Sequence, residues 1–471
     1  MRFTYTIFAF IFMMGLGANS QNSTVKSYTL EECITIALEN NLDLKSTTLR
    51  ANSAKINYRQ SIGNMTPSVN GNFNLGVNDG RSIDPFTNDF ITQELTFSNL
   101  GLSLNATIFN GFSLLNSAKQ NFYNKKASEM EVEAAKQDLV LNVTLNYLQV
   151  LNSKALLELS KARLETTKQQ LKIQGDFYKN ESGNPADYND ILGQLASDET
   201  NVLSAQSGYN NAKLTLTQQL NLKEDISVEP TDVLLQIEPY NLSSNDVFKE
   251  ALENLANVKA QNLRLKAAKK GVSVAKAQFT PQISVFAGLN TNYSSVAETF
   301  TANGTRIENT GDFVTVNGQT IDVQTERTNF DASPIEFSDQ LDNNLNTVVG
   351  VSVNVPLLNG FRAKNNVALE KINVQEQLLE IERTNVSIKN TIAQVHFDMN
   401  AAYQRYQSLE NQVNAFQESY RINEIRFKNG VSNFLNYITS KNNLDNARVN
   451  LTNAKYEYVL LVKVLDYYRG S

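Results

Sequence analysis

The chain has 471 residues, a formal net charge of −6, no Trp, eight Pro and one Cys. That length suggests two or three domains in a soluble protein, the acidic balance argues against a nucleic-acid partner, and a lone cysteine excludes an internal disulfide framework. Hydrophobic residues make up 41% of the chain, but they are spread thinly along long periodic segments.

Residues 1–20 read as a secretory signal peptide. Arg2 gives the positive start, Phe3 to Leu16 the apolar run, and Gly17-Ala18-Asn19-Ser20 the small residues for cleavage before Gln21. The run is short of the ~20 residues a spanning helix needs. Later apolar stretches, such as Val459 to Val462, are shorter still. Cys33 lies well past the cleavage point, so it reads as a small buried residue on a helix and not as a lipid-bearing first residue.

A helix is expected from about Leu30 to Ile62, ended by Pro67. Two alternating segments follow. Val69, Gly71, Phe73, Leu75 and Val77 are spaced by polar residues and Gly, as are Leu100, Leu102, Leu104, Ala106 and Ile108. Each run is about ten residues, the length a tilted strand needs to cross a bilayer. A soluble half-buried sheet alternates too. The uncharged small-polar face and the signal segment favour a barrel wall between lipid and water.

A very long helix is then predicted from Phe112 to about Lys179, on the order of 100 Å at 1.5 Å per residue. Val143, Val150, Leu157, Leu164 and Leu171 recur every seventh position, and Leu141, Leu148, Ala155 and Ala162 form a second stripe. The stripes lie about 140° apart around the helix. A two-stranded coil needs one seam; a helix in the wall of a hollow cylinder needs two. A turn at Tyr178 to Asp190, with Gly183 at its bend, leads into another helix.

The second half repeats this plan. Leu38-Glu39-Asn40 recurs as Leu252-Glu253-Asn254, Thr66-Pro67 as Thr280-Pro281, Asn110-Gly111-Phe112 as Asn359-Gly360-Phe361, and Asn211-Ala212-Lys213 as Asn453-Ala454-Lys455. The expected domains are therefore a first repeat at 21–222, a linker at 223–244 containing Pro230 and Pro239, and a second repeat at 245–471. The second copy has strands at Ile283–Leu289, where Phe286 breaks the alternation, and at Val349–Val355. Its long helix runs from Phe361 to about Lys428, and its last helix from Phe434 to about Tyr468. Val367, Val374, Ile381, Ile388, Val395, Ala402, Leu409 and Phe416 form one stripe of the long helix, and Ile372, Leu379, Val386 and Ala393 the other. The insertion 291–344 carries nine Asp or Glu against two Lys or Arg. It is expected outside the cell, with Asn317-Gly318 as a type I′ hairpin turn.

Four strands cannot close a barrel, because the smallest membrane barrels have eight, and open edges are forbidden in lipid. Three copies would supply twelve strands in a closed ring.

In its duplicated plan, its Asn-Gly-Phe helix entries and the turn Arg426-Phe427-Lys428-Asn429-Gly430-Val431-Ser432-Asn433, the chain resembles the TolC family of outer-membrane factors over nearly all its length. The resemblance implies a mainly helical fold with membrane strands. It implies a homotrimer with a shared 12-stranded barrel in outer-membrane lipid, continued by a periplasmic helical barrel. It further implies an efflux or type I secretion duct served by a periplasmic adaptor and an inner-membrane pump. Adaptor-contact candidates at the periplasmic tip are then Gly183, Asp187, Asp190, Arg426, Gly430, Ser432 and Asn436. Family members often carry acidic constricting rings six and nine residues after the turn glycine. Here those positions are Asn436 and Thr439, so Asp187 and Asp190 are the candidates, either as rings of three carboxylates or as ordinary charge at a helix start. Nothing in the sequence points to catalysis, a cofactor or a metal centre, and His396 reads as structural. A periplasmic adaptor or helical envelope scaffold is the alternative reading.

Overall fold

The computed structural model describes residues 27–84, 87–180, 184–222, 226–228 and 237–470. The expected signal peptide, Gly183 and Pro230 lie outside the described residues. In chain order the elements are β1 (Ser27–Tyr28), α1 (Leu30–Asn40), α2 (Leu42–Gly63), β2 (Ser68–Asn78), β3 (Arg81–Ile83), β4 (Phe90–Thr92), β5 (Leu95–Phe109), α3 (Ser113–Lys179) and α4 (Pro185–Gln219). They continue with β6 (Ser227–Val228), α5 (Ser244–Asn254), α6 (Ala256–Lys276), β7 (Gln282–Ser294), β8 (Glu298–Val316), β9 (Gln319–Pro334), α7 (Phe337–Asn343), β10 (Asn346–Asn354), α8 (Arg362–Lys428) and α9 (Phe434–Arg469). No helix among the described residues is long and apolar enough to cross a membrane.

The chain divides into two compact units that cut across the expected repeats. One holds residues up to 47, 132–256 and 385 onward; the other holds 48–131 and 257–384. The helices α3 and α8 contribute residues to both.

In the second unit, four antiparallel strands are ordered β10-β7-β5-β2. The register decides the chemistry of the faces. Val351 is opposite Val285, Ala106 opposite Val285, and Val69 opposite Leu104. The apolar sets of all four strands therefore share one face, because cross-strand partners point the same way. Both β2 and β10 are open edges within the chain. Each strand pair is entered and left by a repeated joint. Thr66 and Thr280 donate their hydroxyls to Gly63 O and Ala277 O, both at 2.7 Å. Gly111 and Phe112 have φ of 63° and 61°, and Gly360 and Phe361 both have 61°. The Asn-Gly-Phe motif thus reverses the chain through two successive left-handed residues. Glycine takes the first without steric cost, and phenylalanine is forced into the second.

In the first unit, the expected single helix from Leu30 is broken in two at Asn41, which is extended at ψ 125°. The break recurs at Leu255, also at ψ 125°. Neither site has Gly or Pro. Instead Asn41 Oδ1 accepts the Leu44 N–H at 2.9 Å and caps the new helix, while Gln137 Oε1 takes the Ala256 N–H at 3.1 Å. The starts of α1 and α5 are also duplicated: Thr29 and Ser243 accept the N–H of Glu32 and Asp246 at 3.3 and 3.2 Å. Cys33, Ala37, Val143, Tyr147, Leu148, Val150, Leu216 and Leu220 form the core here. Burial, then the charges of Glu32 and Glu31, push the Cys33 thiol up to about 12. The linker is not featureless, since β6 pairs in parallel with β1.

His396 is structural in its contacts. Its Nε2 bonds Leu242 O at 3.0 Å, and Asn400 Nδ2 bonds its Nδ1 at 3.2 Å.

Candidate functional site

The first candidate surface is the polar face of the four-stranded sheet. Asn70, Asn72 and Asn74 of β2, Ser103 and Asn105 of β5, Ser284 and Asn290 of β7 and Ser352 of β10 share it by register. Asparagine, serine and glycine there suit water, and no charged residue occurs among these positions. Phe286, which breaks the alternation, is opposite Gly350, and a Cβ on Gly350 would collide with the Phe286 ring. Phe97 covers Gly76 in the same way. Each ring lies over a glycine, so its bulk fits a face of small residues.

The second candidate is the pair of helix turns, α3–α4 and α8–α9. The helices α3 and α8 have 67 residues each. Asn184 and Asn433 are the N-caps of α4 and α9, accepting the N–H of Ala186 and Asn436, both at 3.0 Å. Asp187 and Asn436 thus hold the same position, three residues after the cap. Gly430 ends α8 in the left-handed region at φ 70°. Its N–H reaches Phe427 O at 2.9 Å, and Val431 N–H reaches Arg426 O at 2.8 Å. This pair of bonds closes a helix on a left-handed residue, so Arg426 and Gly430 have defined backbone roles. Asp187, half-buried, and Asp190, exposed, lie on the first turns of α4, where a carboxylate meets the positive helix end. Asn184 Nδ2 lies 3.4 Å from Asp187 Oδ1. Ser432 is half-buried between the two helices.

The turns meet through apolar and aromatic side chains. Ile191 of α4 packs with Phe434 and Tyr437 of α9. Phe427 stacks on Tyr437, with centroids 5.0 Å apart. Tyr437 also accepts a hydrogen bond from Gln170 of α3. Burial, reinforced by the Tyr420 hydroxyl, pushes its phenol far above the usual range.

A buried charge network joins α3, α4 and α9. Asp198 is fully buried, with Arg163 Nε at 2.8 Å, the Thr167 hydroxyl at 2.7 Å and Gln194 Nε2 at 2.9 Å. Lys441, also buried, reaches Asp445 at 2.9 Å and Thr167 at 3.3 Å. Arg163 completes the set at 3.7 Å from Asp445. Two cations face two carboxylates, which is how charges are tolerated out of water. Isolated charges on a heptad helix read as solvated, so no signal for this network was legible along the chain. Among the described residues, no group of three or more His, Cys, Asp or Glu is placed to hold a metal ion.

The helical packing, the in-phase membrane-length strands and the duplicated turns agree with comparison to known proteins. The model of the family described as outer membrane efflux protein matches residues 33–222 and 247–465. The chain belongs to the outer membrane efflux protein family. Among its relatives, the toxin and drug export protein A of Aggregatibacter actinomycetemcomitans is 21% identical over 450 residues, covering 92% of this chain and 84% of that protein. The cation efflux system protein CusC of Escherichia coli O157:H7 is 24% identical over 292 residues, covering 60% of this chain and 61% of that one. A crystal structure of CusC superposes with a TM-score of 0.76 at 17% identity, over 95% of this chain and 93% of that one. The outer membrane protein VceC from Vibrio cholerae gives 0.73 at 18%, over 94% and 96%. This outer membrane efflux protein is thus a channel component of the outer membrane, extending into the periplasm, and not an enzyme. The adaptor alternative is set aside on the same findings.

Proposed function

We propose that three copies of this chain form one continuous efflux duct, which receives cargo at the helix turns from a periplasmic adaptor and an inner-membrane pump. The observation that carries this reading is the unfinished state of the single chain. Its sheet has four strands, two open edges and an exposed apolar face on which Val351 is 64% exposed. Lipid tolerates such a sheet only when it is closed, and three copies give an even twelve. The helices repeat the logic. On α8 the stripe containing Ile388 and Ala402 is buried or half-buried, whereas Ile372, Leu379 and Val386 are 51, 64 and 51% exposed. On α4, Leu203 and Leu214 are exposed too. A neighbouring copy would cover both helix flanks.

In this reading residues 21–222 and 245–471 are two copies of one ancestral module joined by 223–244. The turn residues Gly183, Asp187, Asp190, Arg426, Gly430, Ser432 and Asn436 form the periplasmic tip. Threefold symmetry would set Asp187 and Asp190 into carboxylate rings that attract cations. The uncharged polar face of the sheet suits passage of varied cargo, in keeping with relatives named for toxin and drug export and for cation efflux.

The tip assignment is tested by cross-linking in cells. Asn429→Cys and Ser432→Cys should capture the adaptor, and Ser284→Cys in the sheet should not. Capture at Ser153→Cys alone would place docking on the helix flanks and reject the tip assignment.

A further inference from the structure

The insertion between β7 and β10 is a built element. β8 and β9 form a hairpin closed at Asn317 and Gly318, with φ of 53° and 82°, the two left-handed residues of a type I′ turn. Its root is fixed to the sheet. Gln340 of α7 is buried; its Nε2 donates to Ser294 O at 3.0 Å and Ile335 O at 2.8 Å, and its Oε1 accepts Ser294 N–H at 2.9 Å. Asn344 Nδ2 adds a bond to Asn292 O at 2.9 Å. The hairpin therefore leaves the sheet in a set direction.

Its two faces differ. Pairing places Phe300 with Ala332, Ala302 with Phe330, Ile307 with Glu326 and Phe313 with Asp322. Partners share a face across both bulges, so Phe300, Phe330, Ile307 and Phe313 line one side. All four are exposed, Ile307 at 73%. Two acidic groups on that side are engaged: the Thr305 hydroxyl donates to Glu326 at 2.6 Å, and Asn309 Nδ2 to Asp322 at 3.2 Å. The opposite side carries Glu308 between Arg306 and Arg327, at 3.3 and 3.4 Å. The first face is thus apolar at intervals along the whole ribbon, whereas the second is charged at mid-length and apolar only near the turn, at Val314, Val316 and Ile321. Three exposed phenylalanines and an isoleucine present on the order of 400 Å² of apolar surface along the ribbon, interrupted by Thr305, Glu326 and Asn309. A two-stranded ribbon alone is also marginally stable in water.

We propose that this face is covered by the same face of the other two copies, so that three hairpins bundle over the outer mouth of the duct. The inference rests on the trimer reading. That reading sets three identical, rigidly rooted hairpins around one axis, continuous with the sheet edges where copies join. The reach is ample. Strands of this length extend about 50 Å, while a twelve-stranded barrel has a radius of roughly 12 Å. Identical apolar faces meeting on an axis form a self-complementary surface without a further partner.

The test introduces single cysteines into the full chain: Ile307→Cys and Thr315→Cys on the apolar side, and Thr301→Cys and Thr325→Cys on the other. The unmodified protein, whose Cys33 is buried, gives the background. Intact cells are treated with a short bismaleimide, and the chain is followed on denaturing gels while its mass is measured in detergent. The first two variants should shift from one-chain to covalent two-chain bands, and the last two should stay at background. A three-chain mass with no cross-link at Ile307→Cys and Thr315→Cys, equal cross-linking on both sides, or cross-links only to a different outer-membrane protein would overturn the bundle and leave the trimer standing. A one-chain mass would overturn both.

Discussion

Gly350 and Phe286 set a test of packing at the scale of one residue. A Cβ at 350 would collide with the ring, so Gly350→Val is expected to cost roughly 1–3 kcal/mol, read as a lower melting temperature of the assembled protein in detergent. Adding Phe286→Ala should recover most of the loss; no recovery would mean that the ring is not what Gly350 accommodates. A second residue-scale expectation concerns lipid. Val351 lies on the apolar face and Ser352 on the polar one. Val351→Arg should cost roughly 2–4 kcal/mol near the bilayer midplane and Ser352→Arg much less, and equal effects on barrel assembly would contradict the register. The alternation of Val349, Val351 and Val353 was legible in the sequence, because a period of two survives any register that keeps one face apolar. Phe286 was not, since its place depends on a glycine in another strand. Gly430 was readable as a turn, because a glycine between two long periodic helices marks a reversal.

At the scale of elements, the seven-residue stripes of α3 and α8 are seen in packing as Val143, Val150 and Leu157 on one and Ile388 and Ala402 on the other. The breaks at Asn41 and Leu255 escaped the sequence, because they rest on side-chain caps and not on Gly or Pro. The charges of α3, α4 and α9 escaped it as well. Asp198→Ala leaves Arg163 without its close partner and should destabilise the folded protein by roughly 3–5 kcal/mol, whereas replacing both by leucine should cost far less. Denaturant midpoints of the two variants decide this, and equal losses would contradict a paired network. Alkali should act on the same helices. Burial first, then hydrogen bonds to Tyr420 and to the Asp138 carboxylate, raise Tyr437 and Tyr467; burial and the Asp466 charge raise Tyr240 to about 12. The unfolded chain would lose these protons near pH 10, before the folded one does. Stability should therefore be full below that pH and fall as pH rises from about 10 towards 12. A denaturant midpoint unchanged across this range would contradict it.

For the whole molecule, the central claim is that the chain is one third of a barrel. The apolar face of the sheet, the open edges of β2 and β10 and the bare stripe of α8 are all features of an incomplete object, and closure by two further copies accounts for them together. The most direct test is the mass of the full-length protein extracted from outer membranes in mild detergent, measured by native mass spectrometry. The account predicts a single species of three chains that separates into single chains only on unfolding. A one-chain species that retains its strand content in the same detergent would contradict it.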